Sequence, residues 1–249
     1  MLSQLLRYAP VISLIRKTRP RSILEVGCGS QGIGRFLSWR FVGVDRTFAD
    51  YTGTERRASP WMLPLRADAT SLPFSDGRFD LVVLLDVLEH VPTGRRGDVL
   101  AECDRVAHAA LAVGFPCGEP AEAHDRELHR WLEAERLPVP GWLREHLAEP
   151  LPTLAEVSPV VSQSARDVRV LENAWLPVHR GVMRWEARER RAPFSAALSD
   201  LLAPTTWDWG VHRPSTNLAR VTLRPAWPLL RLLDRAPAYR KLLVVDKRR

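Results

Sequence analysis

The chemistry-bearing residues of this 249-residue chain begin in ILEVGCGSQGIGRFL, Ile23 to Leu37, where an apolar run enters a glycine-rich turn. Gly27, Gly29 and Gly32 are spaced as a strand, a tight turn and a helix start require when a backbone must approach a ligand closely. Two residues ahead of the first glycine stands Glu25, an acid inside an apolar strand, which must be buried and needs a partner. A cationic ligand is one such partner; an arginine such as Arg21 or Arg35 is the other. A pyrophosphate at the turn, as NAD presents, would be repelled by that carboxylate, whereas S-adenosylmethionine brings an ammonium and a sulfonium. Cys28, between two glycines, fills a place where only a small side chain fits.

Asp45 closes the next apolar run, where an acid can accept hydrogen bonds from both hydroxyls of a ribose. It indicates a nucleoside without choosing between the two cofactors. Further on, ADATSLPF places Asp68 and Ala69 where side chain and backbone can meet an adenine amino group, with Leu72 over the ring. FDLVVLLDVLEHVP, Phe79 to Pro92, is a buried strand that ends in a polar step at Leu85-Asp86 and a short helix carrying His90.

With these four motifs in order from Glu25 to His90, the chain resembles the class I S-adenosylmethionine-dependent methyltransferases, particularly their small-molecule branch. The resemblance implies that Glu25 holds the methionine ammonium, directly or through water, and that Gly27, Cys28 and Gly29 form the turn beneath the methionine portion. It further implies that Asp45 binds the ribose, Asp68 and Ala69 the adenine, and that Leu85 and Asp86 flank the sulfonium. The implied fold is α/β, a Rossmann-like, doubly wound and mostly parallel seven-stranded sheet whose last strand is antiparallel. A sulfonium is already an activated donor, so the protein mainly aligns an acceptor and excludes water. If the acceptor is a hydroxyl, Asp86 and His90 are the candidate catalytic bases. No metal is expected: His124 and His129 are five apart, off a common helical face, and the cysteines lack paired zinc spacing.

These residues need elements to carry them. Strands are predicted at Ser22–Val26, Phe41–Val44, Leu63–Ala67, Phe79–Leu85 and Ala109–Phe115, with helices at Gly32–Trp39 and Asp98–Val106. The crossover between the second and third strands, residues 46 to 62, shows no clean helical period. Helices over Glu119–Arg136 and Gly141–Ala148 form a candidate lid. Beyond them, Val168–Trp175 and Gly181–Ala187 read as a hairpin, Ser195–Leu202 as a helix, Pro204–Pro214 as a loop and Tyr239–Asp246 as a terminal strand. The apolar stretch Tyr8 to Ile15, interrupted by Pro10, is too short to span a membrane and is expected to form a helix leading into the first strand. One domain is expected over residues 1–249: a cofactor half at 1–118, an acceptor-binding elaboration at 119–238, and the final strand at 239–249.

Composition narrows the setting. Hydrophobic residues make up 45% and charged residues 26%, the balance of a globular chain. An odd three cysteines and no recognisable signal peptide point to a reducing, cytoplasmic compartment. The net charge of +7 is concentrated late, with 17 Lys+Arg against 8 Asp+Glu in residues 166–249 and 19 against 21 before them. Such a field suits an anionic acceptor, a membrane surface or nucleic acid, and a compositional arginine bias accounts for it as readily. Arg16-Lys17-Thr18-Arg19 is a further candidate for peripheral contact with anionic lipid.

Seven of the nine tryptophans follow residue 118, suiting a planar metabolite, a sugar or a lipid, or simply an aromatic core. Trp207-Asp208-Trp209 is the best placed of them for contact with an acceptor. A small-molecule, glycan or lipid-linked acceptor is therefore expected. A nucleic-acid acceptor is disfavoured, since no Asn/Asp-Pro-Pro-Tyr/Phe tetrad follows the fourth strand. Rival readings are a nucleic-acid methyltransferase, an NAD-dependent oxidoreductase and a non-catalytic cofactor-binding module.

Overall fold

The computed structural model describes residues 2–48, 58–189 and 231–247. In chain order its elements are α1 (Leu2–Thr18), β1 (Ile23–Val26), β2 (Phe41–Asp45), β3 (Met62–Arg66), β4 (Phe79–Leu85), α2 (Arg96–Val106) and β5 (Ala107–Pro116). There follow α3 (Gly118–Ala134), α4 (Gly141–Ala148), α5 (Leu154–Ser162), β6 (Asp167–Trp175), α6 (Leu176–Glu189) and β7 (Ala238–Asp246). The strands form one seven-stranded sheet in the order β3-β2-β1-β4-β5-β7-β6. β1 to β5 pair in parallel, while β7 runs antiparallel to both β5 and β6. This is the Rossmann-like sheet with a reversed last strand that the resemblance implied.

The central strands read as continuous apolar runs because both of their faces are covered. Alternate residues Ile23, Leu81, Val83 and Val244 pack against Val11, Ile12 and Ile15 of α1. Their neighbours Leu24, Val82, Leu111 and Val245 pack against Leu100 and Cys103 of α2 and Val157 of α5. Each fully buried aliphatic side chain contributes roughly 1.5–3 kcal/mol relative to exposure. Pro10 lies inside α1 without ending it; the helix is held by its apolar face and extends well beyond the Tyr8–Ile15 stretch.

Two elements differ from expectation. The helix expected over Gly32–Trp39 is only a four-residue 3-10 turn, Gly32–Arg35, since two glycines within four positions remove the propensity needed to propagate it. The Gly181–Ala187 strand is instead part of helix α6. Its sequence repeats at helical spacing, burying His179 and Val182, and Pro177 sits in the first turn, where a missing N–H is harmless. Pro177 and Gly181, as turn signals, mask this period in the sequence. Ser195–Leu202, Pro204–Pro214 and the Trp207-Asp208-Trp209 loop lie outside the described residues, as does much of the 46–62 crossover.

Arg96 is the largest fully buried side chain among the described residues. Its Nε donates to the carbonyls of Leu88 and Val91, at 3.0 and 3.2 Å, its Nη2 to that of Pro150 at 2.8 Å, and its Nη1 reaches Glu156 at 3.3 Å. It thereby ties the turn after β4 to the segment entering α5. Removing one partner of such a buried network costs about 3–5 kcal/mol, so Arg96→Leu is expected to lower unfolding free energy by that amount in urea titration. A loss below about 1 kcal/mol would show that packing alone holds this junction.

Candidate active site

A cleft of about 360 Å³ opens at the carboxyl ends of β1, β2 and β4, beside the β1–β4 boundary where strand order reverses and open α/β sheets bind their ligands. Its wall includes Gly27 from the turn after β1 and Asp45 at the end of β2. Asp68, Ala69 and Thr70 come from the segment after β3, and Asp86, Val87 and His90 from the segment after β4. The structure thus brings Gly27, Asp45, Asp68, Ala69, Asp86 and His90 to one cavity.

The turn has the backbone that its glycines allow. Gly27 has φ +72°, and a Cβ there would lie 2.2 Å from Val87 Cγ2; a side chain would close the cleft and strain the turn. Asp45 braces it, accepting from Gly29 N–H at 2.7 Å through one carboxylate oxygen and from Thr47 N–H at 3.1 Å through the other. Cys28 is buried with its Sγ 3.5 Å from Met62 Sδ, and burial raises its thiol pKa. Asp68 is exposed, and its Oδ1 accepts from Thr70 N–H and Oγ1–H, holding the carboxyl below its ordinary range. Leu85 is buried beneath the cleft and does not line it.

Glu25 is buried behind the turn and does not line the cleft. Its Oε1 accepts from Tyr8 O–H at 2.8 Å and its Oε2 from Ile33 N–H at 2.7 Å. The partner is therefore neither Arg21 nor Arg35: α1 supplies a phenol, and the 3-10 turn an amide. A Cβ at Gly32 would lie 2.1 Å from Glu25 Oε2, so that glycine makes room for the carboxylate. Burial pushes this carboxyl up to about 7, against the two hydrogen bonds, which pull it down.

Asp86 has a left-handed backbone, φ +50°, and lies between two arginines. Arg240 of β7 donates from Nε at 2.8 Å and approaches to 2.7 Å through Nη2, while Arg7 of α1 approaches to 3.2 Å. Burial opposes its charge, yet the two guanidiniums prevail and hold the carboxyl below its ordinary range. A carboxylate so held is a poor proton acceptor.

His90 differs. Burial, with His146 adding, lowers its pKa, against the opposing pull of Glu145 and Asp86. Its Nδ1 lies 2.6 Å from Glu145 Oε2, which makes Nδ1 the donor and leaves Nε2 unprotonated in the neutral ring.

Behind His90 lies a polar cluster that sequence spacing did not link. His146 Nδ1 meets Asp125 Oδ2 at 2.9 Å, Tyr239 O–H donates to the same carboxylate at 2.9 Å, and His124 Nδ1 reaches its Oδ1 at 3.1 Å. His179 Nδ1 lies 3.4 Å from His124 Nε2. Glu89 is also buried, and its Oε2 has no hydrogen-bond partner. Burial, with the Asp86 charge adding, pushes the Glu89 carboxyl well above its ordinary range. Sequence reasoning missed Arg7, Tyr8, Glu89, Asp125, Glu145, His146, Tyr239 and Arg240. An available signal was polar residues beside apolar runs: Glu89-His90 shortly after β4, and Tyr239-Arg240 ahead of the apolar Leu242–Val245 within β7.

Residues 24–110 match a protein-family model described as "Methyltransferase domain". The chain is 30% identical over 142 residues to tocopherol O-methyltransferase of Arabidopsis thaliana, covering 53% of this chain and 40% of that one. It is 31% identical over 104 residues to norajmaline N-methyltransferase of Rauvolfia serpentina, covering 36% and 34%. The chain thus spans less than half the length of these curated relatives. Among solved structures, phosphoethanolamine N-methyltransferase 2 of Haemonchus contortus in complex with S-adenosyl-L-methionine superposes with a TM-score of 0.52 at 14% identity, covering 97% of this chain and 53% of that one; this likeness concerns the fold.

The Glu25 geometry predicts a pH effect on stability. The folded value, about 7, exceeds the ordinary 4.5, so the folded chain binds this proton more tightly than the unfolded chain. The associated stability is complete below the ordinary value and is lost as pH rises through the folded one. Glu25→Gln keeps an acceptor for Ile33 N–H and offers an amide donor to the Tyr8 oxygen. Urea titrations should therefore show the stability of wild type relative to Glu25→Gln falling between about pH 5 and pH 8. A pH-independent difference would mean that the carboxylate is charged throughout. Family match and sheet topology agree: residues 24–110 match the methyltransferase-domain model, and the sheet has the Rossmann-like methyltransferase fold.

Proposed function

We propose that the chain transfers the methyl group of S-adenosylmethionine to a small-molecule, glycan or lipid-linked acceptor by direct in-line displacement. The observation that carries this reading is the convergence of Gly27, Asp45, Asp68, Ala69 and Asp86 on one cleft at the strand ends. Gly27 and Gly29 admit the methionine portion, Asp45 receives the ribose hydroxyls, Asp68 and Ala69 meet the adenine, and Asp86, with Leu85 buried before it, flanks the sulfonium. Glu25 serves the ligand through the turn that it braces. The C–S bond breaks with its electron pair left on sulfur, and the acceptor lone pair forms the new bond to carbon; alignment and water exclusion provide most of the rate. Asp86 positions, being committed to Arg7 and Arg240, and the proton of a hydroxyl acceptor is assigned to His90.

Residues 1–118 would act as the cofactor half and residues 119–238 as the acceptor half of one domain. Small-molecule acceptors are favoured because tocopherol and norajmaline methyltransferases are among the relatives, and the basic balance of residues 166–249 suits an anionic or membrane-associated one. Among the described residues no helix is long and apolar enough to cross a membrane. The free cysteines Cys28, Cys103 and Cys117 accord with a reducing, cytoplasmic setting.

Calorimetry should show micromolar-range binding of S-adenosylmethionine and S-adenosylhomocysteine, abolished by Asp45→Ala, and no binding of NAD; tight NAD binding would reverse the assignment. Radiolabelled methyl transfer into fractionated cell extract should label the small-molecule or lipid fraction, and label in RNA would overturn the acceptor class. With a hydroxyl acceptor in hand, His90→Ala should lower turnover about 100-fold while leaving cofactor affinity within about twofold. An equal loss of cofactor affinity would place His90 in binding instead.

A further inference from the structure

We infer that Glu89, His90 and His146 form a binding site for a divalent transition-metal ion at the acceptor end of the cleft. One potential ligand atom from each lies within 4.8 Å of the others, so small side-chain adjustments close them onto an ion with bonds of about 2.0–2.2 Å. The three come from two separate segments, the turn after β4 and helix α4, which accounts for their invisibility in sequence spacing.

Two independent features favour a cation here over a chance meeting of polar groups. Glu89 is only 5% exposed, and its Oε2 is buried without a hydrogen-bond partner. A buried carboxylate oxygen with no donor is costly. Neither Arg7 nor Arg240 donates to it: both guanidiniums bond Asp86, and the buried Arg7 Nε and Arg240 Nη1 that remain do not reach it. The second feature is the setting of the imidazoles. Each has its Nδ1 held by a carboxylate, His90 by Glu145 at 2.6 Å and His146 by Asp125 at 2.9 Å. That is the support expected behind metal-bound histidines: it fixes the tautomer and ring orientation and leaves Nε2 as the ligating nitrogen. Asp125 is itself held by Tyr239 and His124, so the second imidazole rests on a rigid base.

Two imidazoles and one carboxylate suit Zn²⁺, Mn²⁺ or Fe²⁺ better than Ca²⁺ or Mg²⁺, and leave coordination positions open to an incoming oxygen. Resting on the methyl-transfer reading, the site's task would be to bind an acceptor hydroxyl. The metal–oxygen bond forms, the O–H bond breaks and the proton passes to solvent; the bound oxygen then attacks the methyl carbon as the C–S bond breaks. His90 then acts as a ligand, and the ion replaces it in activating the acceptor.

The test uses the full chain, stripped with a chelator and titrated with Zn²⁺ and separately with Mn²⁺ in a calorimeter. About one equivalent should bind with micromolar or tighter affinity. His90→Gln and Glu89→Gln should each reduce affinity severely, and Asp125→Asn about 10- to 100-fold, with circular dichroism confirming folding. His90 is partly exposed, so its variant remains informative even if those at buried positions fail to fold. No saturable binding of either ion, or binding unchanged by His90→Gln, overturns the site. S-adenosylmethionine titrated in excess chelator separates the two readings: if it binds while metal does not, only the metal site fails; if it does not bind, the methyltransferase reading fails.

Discussion

The architecture of the site depends on one buried charge, the carboxylate of Asp86, held between guanidiniums from opposite ends of the chain. Arg7 reaches it from the first helix and Arg240 from the last strand, while Asp86 itself ends β4, at the centre of the sheet. Removing these groups from water is expensive, and their attraction repays it only if every member is present and well oriented. The trio therefore works as a register mark: α1 and β7 must both dock correctly before the floor of the cleft is electrostatically complete. The left-handed φ at Asp86 is sustained by those contacts and turns the carboxylate toward the arginines.

From that point the site divides into two environments. On the cofactor side, short polar side chains turn inward to their own backbone: Asp45 to Gly29 and Thr47, Asp68 to Thr70, and Glu25 to Ile33 and Tyr8. These bonds stiffen the turns around the cleft, so little ordering remains when a ligand arrives. At the His90 end, three of the seven histidines (His124, His146 and His179) gather with Asp125 and Tyr239 in one connected network, and the His90 ring lies 5.2 Å from that of His146. The Asp125 carboxylate is the common acceptor there, taking the Tyr239 hydroxyl and facing the Nδ1 atoms of His124 and His146, which fixes the orientation of both rings.

The boundary between the environments is the short segment Asp86 to His90. Asp86 looks toward the arginines, His90 toward Glu145, and Glu89 into the interior between them. Arg96 secures the same turn from beneath through the carbonyls of Leu88 and Val91. Five residues thus carry contacts to α1, α2, α4 and β7, which makes this turn the place where helix packing and site geometry are coupled.

Much of the cofactor half was legible in the sequence, because its signals are local. An apolar run must bury both faces, Gly27 alone tolerates its φ and the approach of Val87, and an acid at a strand end points into the crevice; Phe79–Leu85 was legible to the residue for such reasons, and beyond that half Gly141–Ala148 was legible from the prolines before it. The partner of Glu25 was not legible, since Tyr8 meets it through the docking of α1, an event with no trace in spacing. Nor was the cluster of Glu89, His90 and His146, or the pairing of Asp86 with residues 79 and 154 positions away. By itself, then, the sequence determined the strands, the glycine turn and the order of the cofactor motifs, since periodicity and backbone sterics act over a few residues. Only the tertiary structure decided which charges meet, which acids are braced and which histidines converge, because these depend on how distant elements pack in a low-dielectric interior.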